Sequence, residues 1–189
     1  LAGLDLAPPV IARNPILIIL IGLPGSGKST VGRHLSRRLQ EPFVDSDQVI
    51  EARLGCPIRE FFEREGEARF RDIEEEVIAQ LCADAAGVLA TGGGAVLRPA
   101  NRALLRGAGT VVYLQSQPED LMRRLRHDRK RPLLQVADPM ARLRELFAER
   151  DPLYRETAHH IVETGRPSVS NLVQSILGQL HITPPPRLN

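Results

Sequence analysis

The chain has 189 residues, about one domain's worth, and its 42% hydrophobic and 25% charged residues exclude a disordered or fibrous protein and supply a core without disulfides or metals. A formal net charge of +2 is too small to mark a nucleic-acid binder, and no run approaches the ~20 apolar residues of a membrane span. Of the 25 basic residues only two, Lys28 and Lys130, are lysines.

In chain order, residues 1–14 carry Pro8 and Pro9 without periodicity and read as a disordered tail. Ile16–Ile21 is a continuous apolar run, the mark of a strand buried on both faces. Residues 28–40 follow as an amphipathic helix with Val31, Leu35 and Leu39 on one face. Pro42-Phe43-Val44 is a short strand, and 46–54 a helix that breaks at Gly55-Cys56-Pro57. Residues 58–64 and 67–84 are helical, Gly87–Thr91 is a strand, 99–106 a short helix and Thr110–Leu114 another strand. Residues 117–127 are helical, 128–137 irregular and basic, and 138–150 helical up to Asp151-Pro152. Ala158–Val162 is a last strand, 168–180 a closing helix, and 182–189 a second disordered tail. Strands alternating with helices predict a single α/β domain over 15–181, a parallel sheet covered on both faces, with ligands beyond the carboxyl ends of the strands.

The chemistry-bearing residues fall at those ends. Gly22-Leu23-Pro24-Gly25-Ser26-Gly27-Lys28-Ser29 fits G-x-x-x-x-G-K-[ST] between strand and helix, the pattern of a P-loop. Its backbone N–H groups and the helix dipole suit phosphate, Lys28 can reach the β- and γ-phosphates, and the Ser29 hydroxyl can ligate Mg²⁺. Asp45-Ser46-Asp47 after the second strand is either a helix N-cap or a carboxylate pair serving a cation and an attacking hydroxyl. Arg71 and Glu74 stand i, i+3 on a helix, a spacing that also suits a solvated surface pair. Thr91-Gly92-Gly93-Gly94 is a plain loop or a place of close backbone approach to a ligand. Arg123, Arg124, Arg126, Arg129, Lys130 and Arg131 form a nucleic-acid patch or a lid that closes over a triphosphate, and Arg150 suits a carboxylate. Cys56 and Cys82 lie in no metal-ligand spacing, and no basic n-region precedes Arg13, so reduced thiols and a cytoplasmic protein are expected.

Together the phosphate loop, Phe43-Val44-Asp45-Ser46-Asp47, Gly66–Glu74, Thr91–Val96 and Arg131-Pro132-Leu133-Leu134 resemble shikimate kinase over about residues 14–180. That resemblance implies a three-layer α/β/α P-loop NTPase fold with a five-stranded parallel sheet. It also implies a substrate-binding helical region at about 45–75 and a lid at about 126–137. It implies transfer of the ATP γ-phosphoryl group to the 3-hydroxyl of shikimate, a step towards chorismate and the aromatic amino acids. By the same resemblance Lys28, Asp47 and Arg131 are catalytic, and Asp47, Arg71, Gly93 and Arg150 hold the acceptor. ATP contacts fall to Gly25, Ser26, Gly27, Lys28, Ser29, Thr30, Arg124, Arg131 and Arg166, and Mg²⁺ to Ser29 and Asp45. Glu74 orients Arg71. The segment Glu163–Pro167 that carries Arg166 is shorter than in the family. Small-molecule substrates, no nucleic acid, no membrane and a monomer are expected. The rival readings are a gluconate kinase of the same architecture, a silent P-loop sensor, and an RNA-binding basic segment.

Overall fold

A computed structural model describes residues 16–126 and 136–186. The expected N-terminal tail, nearly all of the expected lid with Arg129, Lys130 and Arg131, and residues 187–189 lie outside them.

The first strand, β1 (Leu17–Ile21), is buried along its whole length. Its side chains alternate between two cores, as a strand with helices on both faces must. Leu17, Ile19 and Ile21 pack with Leu89, Tyr113 and Tyr154 on one side. Ile18 and Leu20 pack with Val31, Leu35, Leu172 and Ile176 on the other. The remaining elements follow as α1 (Lys28–Leu39), β2 (Phe43–Asp45), α2 (Ser46–Leu54), α3 (Ile58–Glu65), α4 (Glu67–Asp84), β3 (Gly87–Ala90) and α5 (Pro99–Ala108). Then come β4 (Thr110–Gln115), α6 (Pro118–Leu125), α7 (Pro139–Thr157), β5 (His160–Glu163) and α8 (Val169–Gln179). The strands stand in the order β2-β3-β1-β4-β5, and every neighbouring pair is parallel. This is the three-layer α/β/α arrangement with five strands that the alternation and the resemblance imply. Because β2, β3 and β1 are neighbours, the loops that leave their carboxyl ends converge on one crevice.

Two stretches depart from the sequence reading. α7 does not stop at residue 150 but runs through Pro152 to Thr157. A proline inside a helix forfeits one backbone hydrogen bond and normally ends it. Here tertiary contacts on the same face hold the turn. Tyr154 is fully buried, and Asp151 accepts hydrogen bonds from Tyr113 Oη at 2.8 Å and from Arg155 Nε at 2.9 Å. The tail expected from residue 182 begins instead in contact with the body. Ile182 packs against the α1/α8 core, and Arg38 Nη1 donates to the Pro185 carbonyl at 2.8 Å.

Helices α2, α3 and α4 form their own small core of Ile50, Phe61, Phe70, Ile73 and Val77, separate from the two that flank the sheet. It sits beneath the region expected to bind substrate. No helix among the described residues is long and apolar enough to cross a membrane.

Candidate active site

Residues 22–29 close over the carboxyl end of β1. Gly27, the N-cap of α1, takes a left-handed φ of 93°, which only glycine adopts without strain. Lys28 is buried, with its ammonium donating to the Gly22 and Leu23 carbonyls at 2.8 and 2.9 Å. Lys28 thus braces the curl of the loop from within as well as carrying its charge.

Asp45 is the N-cap of α2, and its second oxygen is engaged as well. One carboxylate oxygen caps α2 by accepting the Asp47 N–H at 3.0 Å, and the other accepts from Ser29 Oγ at 2.7 Å. The Ser29–Asp45 pair joins the phosphate loop to the end of β2.

Two cavities meet at this point. One, of about 510 Å³, is lined by Pro24, Gly25, Gly27, Lys28, Ser29 and Thr30 together with Asp45, Asp47, Gly93 and Arg124. The other, of about 830 Å³, is lined by Phe62, Arg71, Leu146, Arg150 and several residues of α2 and α3. Pro24 and Asp47 line both. Burial above all, then the charges of Asp45 and Glu74, push the Asp47 carboxyl up to about 6 against the pull of Lys28.

In the second cavity Arg71 is held from several sides. It donates from Nη1 to Glu74 at 2.7 Å and from Nη2 to Glu67 at 3.2 Å, and it lies over the Phe70 ring at 5.2 Å. Glu74 has a side chain only 1% exposed, so the pair is not the solvated decoration its spacing allows. Burial raises the Glu74 pKa, and the charges of Arg71 and Arg150 oppose that rise. Arg150, on α7, faces the same cavity, and its buried Nε meets no acceptor among the described residues. Two guanidinium groups in one pocket suit a planar carboxylate.

The glycine turn after β3 explains how these groups come so close. A Cβ at Gly92 would lie 2.5 Å from Asp47 Oδ1, and a Cβ at Gly94 would strike the Arg71 guanidinium. Gly93 lies between them against Pro24, and its carbonyl accepts from Tyr154 Oη at 2.6 Å. Of the three, the sequence pointed to Gly93. Gly92 and Gly94 were missed as individual contacts, since a run of glycines does not say which side chain presses on each.

Arg124 turns its guanidinium back onto the phosphate-loop side, donating to the Ser26 carbonyl at 3.3 Å and to the Thr164 carbonyl. Arg166 is exposed and is not among the residues lining the phosphate-side cavity. The structure therefore brings together Gly25, Ser26, Gly27, Lys28, Ser29, Thr30, Asp45, Asp47, Gly93 and Arg124 on one side and Arg71 and Arg150 on the other, while Arg166 is exposed two residues beyond Thr164, whose carbonyl meets Arg124. Arg131 lies outside the described residues.

The family model for shikimate kinase matches residues 24–181. A shikimate kinase of Paracidovorax citrulli is 62% identical over 174 residues, 90% of this chain and 95% of that protein. Among solved structures, the shikimate kinase from Acinetobacter baumannii in complex with shikimate matches with a TM-score of 0.84 at 46% identity, covering 89% of this chain and 94% of that one. A gluconokinase from Sinorhizobium meliloti matches with a TM-score of 0.55 at 19% identity, covering 88% of this chain and 92% of that one, which shows a shared fold alone.

Proposed function

This chain belongs to the shikimate kinase family of ATP-dependent phosphotransferases, and from that membership we propose how its cleft divides the reaction. The phosphate-side cavity takes ATP, the arginine-lined cavity takes shikimate, and the γ-phosphoryl group passes between them to the shikimate 3-hydroxyl. The products are shikimate 3-phosphate and ADP. The observation that carries this reading is the position of Asp47, the one carboxylate among the described residues that lines both cavities.

Shikimate is a small anion with one carboxylate and three hydroxyls. Arg71 and Arg150 pair the carboxylate, while Gly93 and Asp47 meet hydroxyls. Asp47 accepts a hydrogen bond from the 3-hydroxyl, aims its oxygen at the γ-phosphorus and receives its proton as the bond forms. Phosphoryl transfer asks mainly for alignment and charge neutralisation. Lys28 supplies positive charge at the phosphates, and Arg124 closes the same side. The Ser29 hydroxyl and the Asp45 carboxylate, 2.7 Å apart, are hard oxygen donors that fit Mg²⁺, which binds through few protein ligands plus phosphate oxygens and water. When bound there, Mg²⁺ neutralises charge on the β- and γ-phosphates. Gluconate carries a carboxylate too, so the arginine pair alone does not separate the two acceptors, and it is the family membership that favours shikimate. A coupled assay with Mg-ATP and an acceptor panel tests the assignment, and turnover of gluconate but not shikimate would overturn it.

Two expectations follow from the acceptor side. Asp47 must be ionised to accept the proton, and its carboxyl is pushed up to about 6. The logarithm of kcat/KM for shikimate should therefore climb with a slope near one below about pH 6 and level off above it. A profile flat across that range would remove Asp47 as the proton acceptor. Separately, Arg71→Lys keeps a charge beside Glu74 but loses the planar fork, and should raise KM for shikimate roughly 10-fold or more while KM for ATP stays constant. An unchanged shikimate KM would take Arg71 out of carboxylate binding.

A further inference from the structure

The chain has two tyrosines, Tyr113 and Tyr154, and both are fully buried. Their rings lie 4.9 Å apart, yet their hydroxyls face different partners. Tyr113 Oη donates to Asp151 at 2.8 Å, a contact between β4 and α7. Tyr154 Oη donates to the Gly93 carbonyl at 2.6 Å, and the Arg150 guanidinium lies near enough for its charge to act on that hydroxyl. One residue thus stands between two groups assigned above to the acceptor, bonded to one on the glycine turn and a helical turn along α7 from the other. Burial raises the Tyr154 pKa well above the ordinary phenol range, so the group stays a donor wherever the enzyme works.

The geometry points to Tyr154 as a positioning residue: its hydroxyl ties the Gly93 carbonyl to the turn of α7 that carries Arg150, so that the contacts to the acceptor's hydroxyls and to its carboxylate are set together. This rests on the reading that Gly93 and Arg150 hold shikimate. The peptide between Gly93 and Gly94 is planar and trans, so pinning its carbonyl on Tyr154 directs the Gly94 N–H to the opposite side. Arg150 precedes Tyr154 by one helical turn, and the continuation of α7 through Pro152 keeps that spacing rigid. A helix that ended at the proline would leave the two unconnected.

Tyr154→Phe deletes the hydroxyl and leaves the ring seated against Tyr113. It should raise KM for shikimate up to about tenfold, the upper end of what one hydrogen bond contributes, with KM for ATP within twofold of the parent. Tyr113→Phe removes an equally buried hydroxyl that does not touch the acceptor groups; Asp151 keeps its bonds from Gln115 and Arg155, so α7 stays in place and KM for shikimate should be unchanged. A second readout does not require the Tyr154 variant to fold. Uniform 3-fluorotyrosine labelling gives two ¹⁹F resonances, assigned with Tyr113→Phe. Saturating shikimate should shift the Tyr154 line and leave the Tyr113 line in place. The inference is overturned if Tyr154→Phe leaves the shikimate KM unaltered, if Tyr113→Phe raises it equally, or if the Tyr154 line ignores shikimate. Failure of the parent enzyme to turn over shikimate would instead overturn the functional reading beneath it.

Discussion

Asp47→Asn is expected to lower kcat by about 10²–10⁴-fold while ATP binds within about twofold of the parent, because removing a positioned general base costs on that order. Asparagine preserves the shape but cannot take the proton of the attacking hydroxyl. Rapid-quench kinetics with Mg-ATP and shikimate, beside equilibrium ATP binding, separate the two effects, and retained turnover would dismiss Asp47 from its role. The same substitution should also raise the melting temperature. The folded chain holds the Asp47 proton more tightly than the unfolded chain, with a pKa of about 6 against 3.8. The stability this group contributes is therefore fully present below about pH 3.8 and is lost as pH rises through about 6. At pH 8 the ionised carboxylate works against the fold, and the neutral amide removes that cost. Asp47→Asn should melt above the parent at pH 8, and the gap should shrink as pH falls towards 5. A residue that damages activity while relieving strain in the resting protein is the expected signature of a group kept for chemistry.

Lys28→Arg should fold normally yet lose about 10²–10³-fold in kcat, the cost of displacing one preorganised charge from a transferring phosphoryl group. The ammonium is slender enough to lie inside the loop against the Gly22 and Leu23 carbonyls. A guanidinium brings the same charge as a broad planar fork that this curl does not accommodate. In a chain with two lysines among 25 basic residues, arginine serves nearly everywhere else. Lys130→Arg is the natural control and should leave turnover unaltered. Equal behaviour of the two variants would show that the lysine at position 28 carries no special geometry.

Much of this arrangement is legible in the residues. The apolar run at 17–21 followed by glycines, Lys28 and Ser29 specifies a buried strand, a tight loop and a helix start by local physics alone. The i, i+3 spacing of Arg71 and Glu74 shows that they can pair, but not that Glu74 is buried, since burial depends on what packs over α4. Arg124 could not be placed by spacing, because its partner at Ser26 is far away in the chain and is brought near by the sheet order. The proline in α7 misled for a similar reason. Local propensity ends a helix there, and only the buried Tyr154 and the hydrogen-bonded Asp151 overrule it. Arg166 shows the opposite limit. It is assigned through family likeness in a shortened segment, and the structure shows it exposed beyond Thr164, with no contact among the described residues that fixes its role.

The small core of Ile50, Phe61, Phe70, Ile73 and Val77 divides the molecule energetically. Cooperative units that share little packing open with different free energies. The sheet, its nucleotide loop and the α7 turn with Arg150 rest on the two large cores, whereas α2, α3 and the first turns of α4 that carry Arg71 rest on this small one. Transient loosening of that unit interrupts acceptor recognition while the phosphate loop stays formed. Substitutions there tax the enzyme through the lifetime of its acceptor-ready state, well before they threaten the chain as a whole.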